Sequence, residues 1–135
     1  EIRGKKVMIM DDSIVRGNTS REIVRMLRDF GAKEVYFSVA CPPVKSPCFY
    51  GVDMPTRSEL IAGNMTEDEI KDYLKVDELL YQEIDDLVEA VTRKGDHHID
   101  TPCLACLDGN YVAKDIDEAK ISEMETMRAS DRNGG

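Results

Sequence analysis

An α/β fold built on a parallel sheet is what the sequence predicts, on three observations. The apolar run Val7-Met8-Ile9-Met10 stops abruptly at Asp11-Asp12, as strands buried on both faces of a parallel sheet do. An amphipathic helical pattern follows, and a second apolar run, Val35-Tyr36-Phe37-Ser38-Val39-Ala40, comes directly after it. Residues 5–40 therefore form a βαβ unit, whose loops at the carboxyl ends of the strands are where such sheets bind ligands.

Each element has its own justification. The first strand follows basic Arg3, Lys5 and Lys6. Thr19-Ser20-Arg21-Glu22 has capping-box spacing, and Ile23, Met26, Leu27 and Phe30 recur at helical intervals until Gly31, which predicts a helix of about three turns. Residues 41–55 hold four prolines, two cysteines and one glycine, too much punctuation for a regular element. Two further boxes, Thr56-x-x-Glu59 and Thr66-x-x-Glu69, open short helices, the second ending near Leu74. Leu79-Leu80-Tyr81 reads as a short strand, and Ile84, Leu87, Val88 and Val91 mark a helix. Arg93 and Lys94 in its last turn suit the dipole, with Gly95 beyond. The rest is weaker, with a helical stretch around Ile116 to Met127 and a polar Asp131–Gly135 end expected to be disordered.

Composition bounds the function. The chain has 135 residues and a net charge of −9, which argues against a general nucleic-acid surface. The charge is uneven: residues 1–50 carry 9 basic and 6 acidic side chains and residues 51–135 carry 9 and 21, so an anionic small molecule belongs on the first part. No apolar run approaches the roughly 18 residues of a membrane helix, and no leader pattern opens the chain. A soluble protein, or a piece of one, is expected. Four cysteines then imply a reducing, cytoplasmic compartment. The first residue is Glu1, which suggests a boundary that is not a natural start.

The segment Asp11-Asp12-Ser13-Ile14-Val15-Arg16-Gly17-Asn18-Thr19-Ser20 lies between a strand end and a helix start. A loop entering a helix there offers unpaired backbone N–H groups and the positive dipole end, which suit a phosphate. Gly17 permits close approach and positive φ, and the hydroxyls of Ser13, Thr19 and Ser20 add donors. Two adjacent carboxylates would repel that anion, so they call for sugar hydroxyls or Mg²⁺ as partners. A phosphorylated sugar meets both demands. Neither a Walker pattern nor G-x-G-x-x-G is present.

A receiver-type signalling domain also begins with an apolar strand, Asp-Asp-Ser and an amphipathic helix, and Asp53-Met54-Pro55 faintly matches its phosphoacceptor region. Asp53, however, follows Pro47-Cys48-Phe49-Tyr50-Gly51 instead of an apolar strand, and the cysteines have no place in that scheme.

Cys103-Leu104-Ala105-Cys106 is a C-x-x-C, a spacing that turns two thiolates toward one metal or cluster. Cys48 lies 55 residues earlier, and no second C-x-x-C exists. Spacing alone leaves three readings open. One is a [4Fe–4S] cluster on Cys48, Cys103, Cys106 and a ligand outside the chain. Another is a zinc interaction module completed by Cys41, His97 or His98, and the third is buried or redox-active thiols without metal.

The segment Val7–Ser20 resembles the phosphoribosyl pyrophosphate (PRPP) binding motif of the phosphoribosyltransferases. Its Asp-Asp-Ser-Ile-Val-Arg-Gly-Asn-Thr form is similar to that of the amidophosphoribosyltransferases. Cys48-Phe49-Tyr50-Gly51 and Cys103-Leu104-Ala105-Cys106 resemble the cluster-binding segments of their iron–sulfur branch. The resemblance covers residues 3–112. It implies part of a type I phosphoribosyltransferase fold over residues 1–95 with the PRPP motif at 7–20, a cluster-binding segment at 96–112 and a tail at 113–135.

The resemblance further implies that Asp11 and Asp12 bind the ribose hydroxyls and Mg²⁺, and that Ser13, Ile14, Val15, Arg16, Gly17, Asn18 and Thr19 wrap the 5′-phosphate. Arg16 would add charge at the mouth. Cys48, Cys103 and Cys106 would hold a structural [4Fe–4S] cluster with a further upstream cysteine, Cys41 being a buried thiol and His97 and His98 solvated. No residue is assigned proton transfer. The implied reaction is glutamine plus PRPP plus water giving 5-phosphoribosylamine, pyrophosphate and glutamate, the first step of purine synthesis, in a homo-oligomer. The glutaminase domain that supplies the ammonia and further phosphoribosyltransferase segments are missing here, so the chain alone is expected to be inactive.

Overall fold

The computed structural model describes residues 1–93, 100–113 and 116–133; the expectations for Lys94, Gly95, His97, His98, Gly134 and Gly135 fall outside them. Three strands, β1 (Lys6–Asp11), β2 (Glu34–Val39) and β3 (Glu78–Tyr81), form a parallel sheet in that order. The register pairs Val7 with Val35 and Ile9 with Phe37 across the first pair, and Phe37 with Leu79 across the second. Val35, Phe37 and Val39 of the central strand are buried. With the half-buried Val7, Ile9, Leu79 and Tyr81 they form one apolar face.

Helices α1 (Asn18–Asp29), α2 (Ile61–Asn64) and α3 (Glu67–Leu74) cover that face with Val24, Leu27, Ile61, Ala62, Ile70 and Leu74. The opposite face is uncovered among the described residues, and Met8, Met10 and Leu80 on it are exposed. Burial of β1 on both faces is therefore not what this chain achieves. It forms an edge strand with one covered side, and Met10 is 79% exposed.

The α1 stripe also differs from expectation. Ser20 and Val24 are its buried residues, and Leu27 packs beside them, whereas Met26 and Phe30 are exposed. The helix is apolar over a wider arc than three strands can cover, and the sheet selects one side of it.

The capping boxes at Thr56 and Thr66 both form. The first starts a single 3-10 turn, Arg57–Glu59, that leads into α2; the second starts α3, with Thr66 N donating to Glu69 Oε2 at 2.7 Å and Glu69 N to Thr66 Oγ1 at 3.3 Å. The strand and helix expected near residues 79–91 are β3 and α4 (Ile84–Thr92). Between β2 and Arg57 the chain is irregular, as its prolines require.

A second apolar cluster lies beside the first, built on Val44, Met54, Leu60 and Leu107, with α5 (Ala105–Asp108) supplying the last. The final helix, α6 (Glu118–Asn133), runs on through residues 131–133, which belong to the polar end expected to be disordered. Side-chain contacts with the 41–57 segment hold α6. Ile121 is buried, Arg57 donates to Glu125 Oε2 at 3.1 Å, and Arg128 donates to Cys48 O at 3.0 Å and lies over the Phe49 ring.

Asp77, just before β3, ties the layers together. Its Oδ2 accepts from Val35 N at 2.6 Å and from Arg28 Nη2 at 2.7 Å, and the Val35 amide, then Arg28, hold the carboxyl below its usual range. Asp77→Asn is expected to cost about 1 kcal/mol in urea unfolding, modest because the carboxylate is 40% exposed. A carboxyl whose folded value is depressed stabilises fully above its unfolded value, near pH 4, and loses that contribution as pH falls. The wild-type advantage over Asp77→Asn should therefore shrink below about pH 4.

Candidate functional site

The segment after β1 forms an open depression of about 430 Å³, lined by every residue from Asp11 to Ser20 except Ile14. Ile14 is 2% exposed and anchors the segment in the core, so its backbone alone can serve a ligand. The two acids are held by the turn they make. Asp12 N donates to Asp11 Oδ1 at 3.0 Å, and Ser13 N donates to Asp12 Oδ1 at 2.7 Å. Each carboxylate thus spends one oxygen on local structure and keeps the other for a hydroxyl or cation, a donor set that fits Mg²⁺ bound by one or two carboxylates together with substrate oxygens.

Helix α1 begins earlier than the Thr19 box predicts. Gly17 is its N-cap, at φ 76°, with Arg21 N donating to Gly17 O at 2.9 Å and no side-chain cap. A side chain is disfavoured there first by the positive φ and then by crowding, since an added Cβ would lie 2.7 Å from Ile61 Cδ1 and 3.3 Å from Tyr73 Cε1. With no capping oxygen and no acid in the first turn, the leading amides remain available to an external acceptor. A loop that satisfied its own helix start would compete with an anion; this one does not.

Three residues outside the motif seat this loop, and sequence reasoning did not name them as site residues. Ile61 N donates to Val15 O at 2.9 Å. Tyr73 Oη donates to Asn18 Oδ1 at 3.1 Å. Glu59 Oε1 accepts from Arg16 Nε and Nη2 at 3.1 and 2.8 Å. Arg16 is thus paired with Glu59, so its charge at the mouth is largely compensated. The legible signal was the Thr56-x-x-Glu59 box, which marks Glu59 as a cap and leaves its second oxygen unassigned.

The cysteines lie on segments brought together over a long sequence separation. Lys45 N and Ser46 N both donate to Cys106 O, at 2.9 and 3.0 Å, and Tyr111 Oη donates to Pro47 O at 2.8 Å. Cys41, Cys48 and Cys106 border the second apolar cluster, while Cys103 is exposed. Burial pushes the thiols of Cys41 and Cys106 up. Among the described residues no three His, Cys, Asp or Glu side chains are gathered as a metal-holding group. Soft thiol donors beside an apolar cluster are nonetheless the kind of set an iron–sulfur centre uses.

No helix among the described residues is long and apolar enough to cross a membrane. No family model matches the chain. It is 44% identical over 133 residues to the amidophosphoribosyltransferase of Methanothermobacter thermautotrophicus, which covers 98% of this chain and 27% of that protein. Its fold matches glutamine PRPP amidotransferase from Bacillus subtilis complexed with ADP and GMP, with a TM-score of 0.73 and 41% identity over 89% of this chain and 27% of that one. A structure described as the allosteric regulatory enzyme of purine biosynthesis matches with a TM-score of 0.77 and 40% identity, over 92% of this chain and 27% of that one. The chain thus spans about a quarter of the length of the proteins it matches. Identity that runs along nearly the whole chain, on a fold shared with these structures, places it in the amidophosphoribosyltransferase family.

Proposed function

We propose that this chain is the PRPP-binding portion of an amidophosphoribosyltransferase, a cytoplasmic pentosyltransferase that joins glutamine-derived ammonia to PRPP, giving 5-phosphoribosylamine and pyrophosphate. The observation that carries the reading is the loop after β1, where two half-engaged carboxylates precede a helix start left uncapped by a positive-φ Gly17.

The amides around Gly17, with the Thr19 hydroxyl, hold the 5′-phosphate. Asp11 and Asp12 accept hydrogen bonds from the ribose hydroxyls and place Mg²⁺, which when bound neutralises charge on the pyrophosphate leaving group. These roles bind and orient, so that C1 of the ribose is presented to the incoming ammonia. Cys48, Cys103 and Cys106, with a further cysteine upstream, would hold a [4Fe–4S] cluster that would supply structural support. The glutaminase function and the remaining PRPP contacts belong to parts of the enzyme outside this segment, and the whole enzyme is a homo-oligomer.

The isolated chain should bind ribose 5-phosphate in Mg²⁺ by calorimetry yet release no pyrophosphate from PRPP and glutamine. No binding at millimolar ligand would remove the site, and turnover would show that the segment is self-sufficient. Anaerobic reconstitution with iron and sulfide should give a brown chromophore that Cys103→Ser with Cys106→Ser abolishes. Stoichiometric zinc with no chromophore would instead support the zinc module.

A further inference from the structure

Arg16 is the only cation in the segment 11–20, and a cation in an anion-binding loop would ordinarily be expected to contact the anion. Here both Nε and Nη2 donate to one oxygen, Glu59 Oε1. The other oxygen is fixed as well: Glu59 Oε2 accepts from Thr56 N at 3.0 Å and Thr56 Oγ1 at 2.9 Å. A carboxylate with one oxygen fixed in a capped turn has little freedom to follow a moving loop. The Thr56 amide, then Arg16, hold its carboxyl down to about 2, so it is ionised throughout the neutral range.

The same turn grips the loop a second time, because Ile61, two residues after Glu59, donates its N–H to Val15 O. Backbone at residue 15 and side chain at residue 16 are therefore both held from one short stretch. Immediately beyond them lie Gly17 and the amides open to a ligand.

We propose that Glu59 is a positioning residue for the anion site: it draws the Arg16 guanidinium to the rim and uses it as a strap that holds residues 14–18 with their amides open. The proposal rests on the sugar-phosphate function above and adds that Arg16 acts through the loop's shape. Attraction for the anion then comes from the amides and the helix dipole, and the strap limits how far the loop relaxes when the ligand leaves.

A double-mutant cycle on the 135-residue chain tests this, with Glu59→Gln, Arg16→Gln and the pair titrated with ribose 5-phosphate in Mg²⁺. Amide hydrogen exchange is followed in parallel. Glutamine keeps an acceptor for the Thr56 cap, and unchanged exchange in β2 reports an intact core. Each single change should weaken binding about fivefold, as for a good part-exposed ion pair. The double change should weaken it no further, since both remove one strap. Amides 14–18 should exchange faster in all three variants.

If Glu59→Gln binds more tightly, or Arg16→Gln costs many times more than Glu59→Gln, the guanidinium is a phosphate ligand and the proposal is overturned. Equal affinity of all four proteins overturns it too. Failure of the unvaried chain to bind ribose 5-phosphate is a separate result, one that removes the sugar-phosphate site itself and the proposal with it.

Discussion

Asp12→Asn is expected to weaken ribose 5-phosphate binding in Mg²⁺ by at least about tenfold while leaving the fold intact, since a hydrogen bond to a charged group contributes about 1.5–3 kcal/mol. The substitution separates two jobs of one side chain. Asp12 Oδ1 accepts from Ser13 N at 2.7 Å, and an asparagine carbonyl continues that turn. What disappears is the negative charge of the carboxylate, and with it the attraction for a cation or the full acceptor strength toward a hydroxyl. Repeating the titration in EDTA divides the effect. A wild-type-to-variant ratio that collapses without metal assigns Asp12 to Mg²⁺, and one that persists assigns it to the ribose. Unchanged affinity in both media would remove Asp12 from the site.

Gly17→Ala should weaken binding by a comparable factor through a different route. Gly17 sits at φ 76°, a conformation that costs an L-residue about 1–2 kcal/mol, and about 1.4 kcal/mol corresponds to tenfold in affinity. The new Cβ would also meet Ile61 Cδ1 at 2.7 Å, so the Ile61 side chain must move aside. Gly4 supplies the control, at φ 72° with nothing within 4 Å of an added Cβ. Gly4→Ala should lower the urea midpoint through backbone strain and leave ligand affinity unchanged. Equal binding by Gly17→Ala and wild type would show that the open-amide geometry is not what the ligand reads.

Local chemistry was legible where it depends on neighbours in sequence. Asp11-Asp12 at the end of an apolar run, followed by Gly17 and a helical pattern, specifies a strand, a turn and a helix start from backbone preferences alone, and the described residues carry all three. The boxes at Thr56 and Thr66 were equally readable, because the partners are three residues apart. The starting point of α1 was misjudged by the same logic. Thr19 satisfies the box pattern, yet Gly17 is the cap: its left-handed backbone starts the helix two residues earlier, with Arg21 N donating to Gly17 O.

What the sequence determined by itself is the order of parallel elements, the acidic turn and the identity of the thiols, all set by short-range steric and hydrogen-bonding rules. Tertiary structure alone decided which side of α1 is buried, that β1 has a covered and an open face, and that Glu59, Ile61 and Tyr73 seat a loop more than forty positions away. Those outcomes depend on where separate segments meet, and a contact across the core leaves no periodicity in the chain to be read. Arg16 marks the division: its place in the motif is a property of the sequence, and its pairing with Glu59 is a property of the fold.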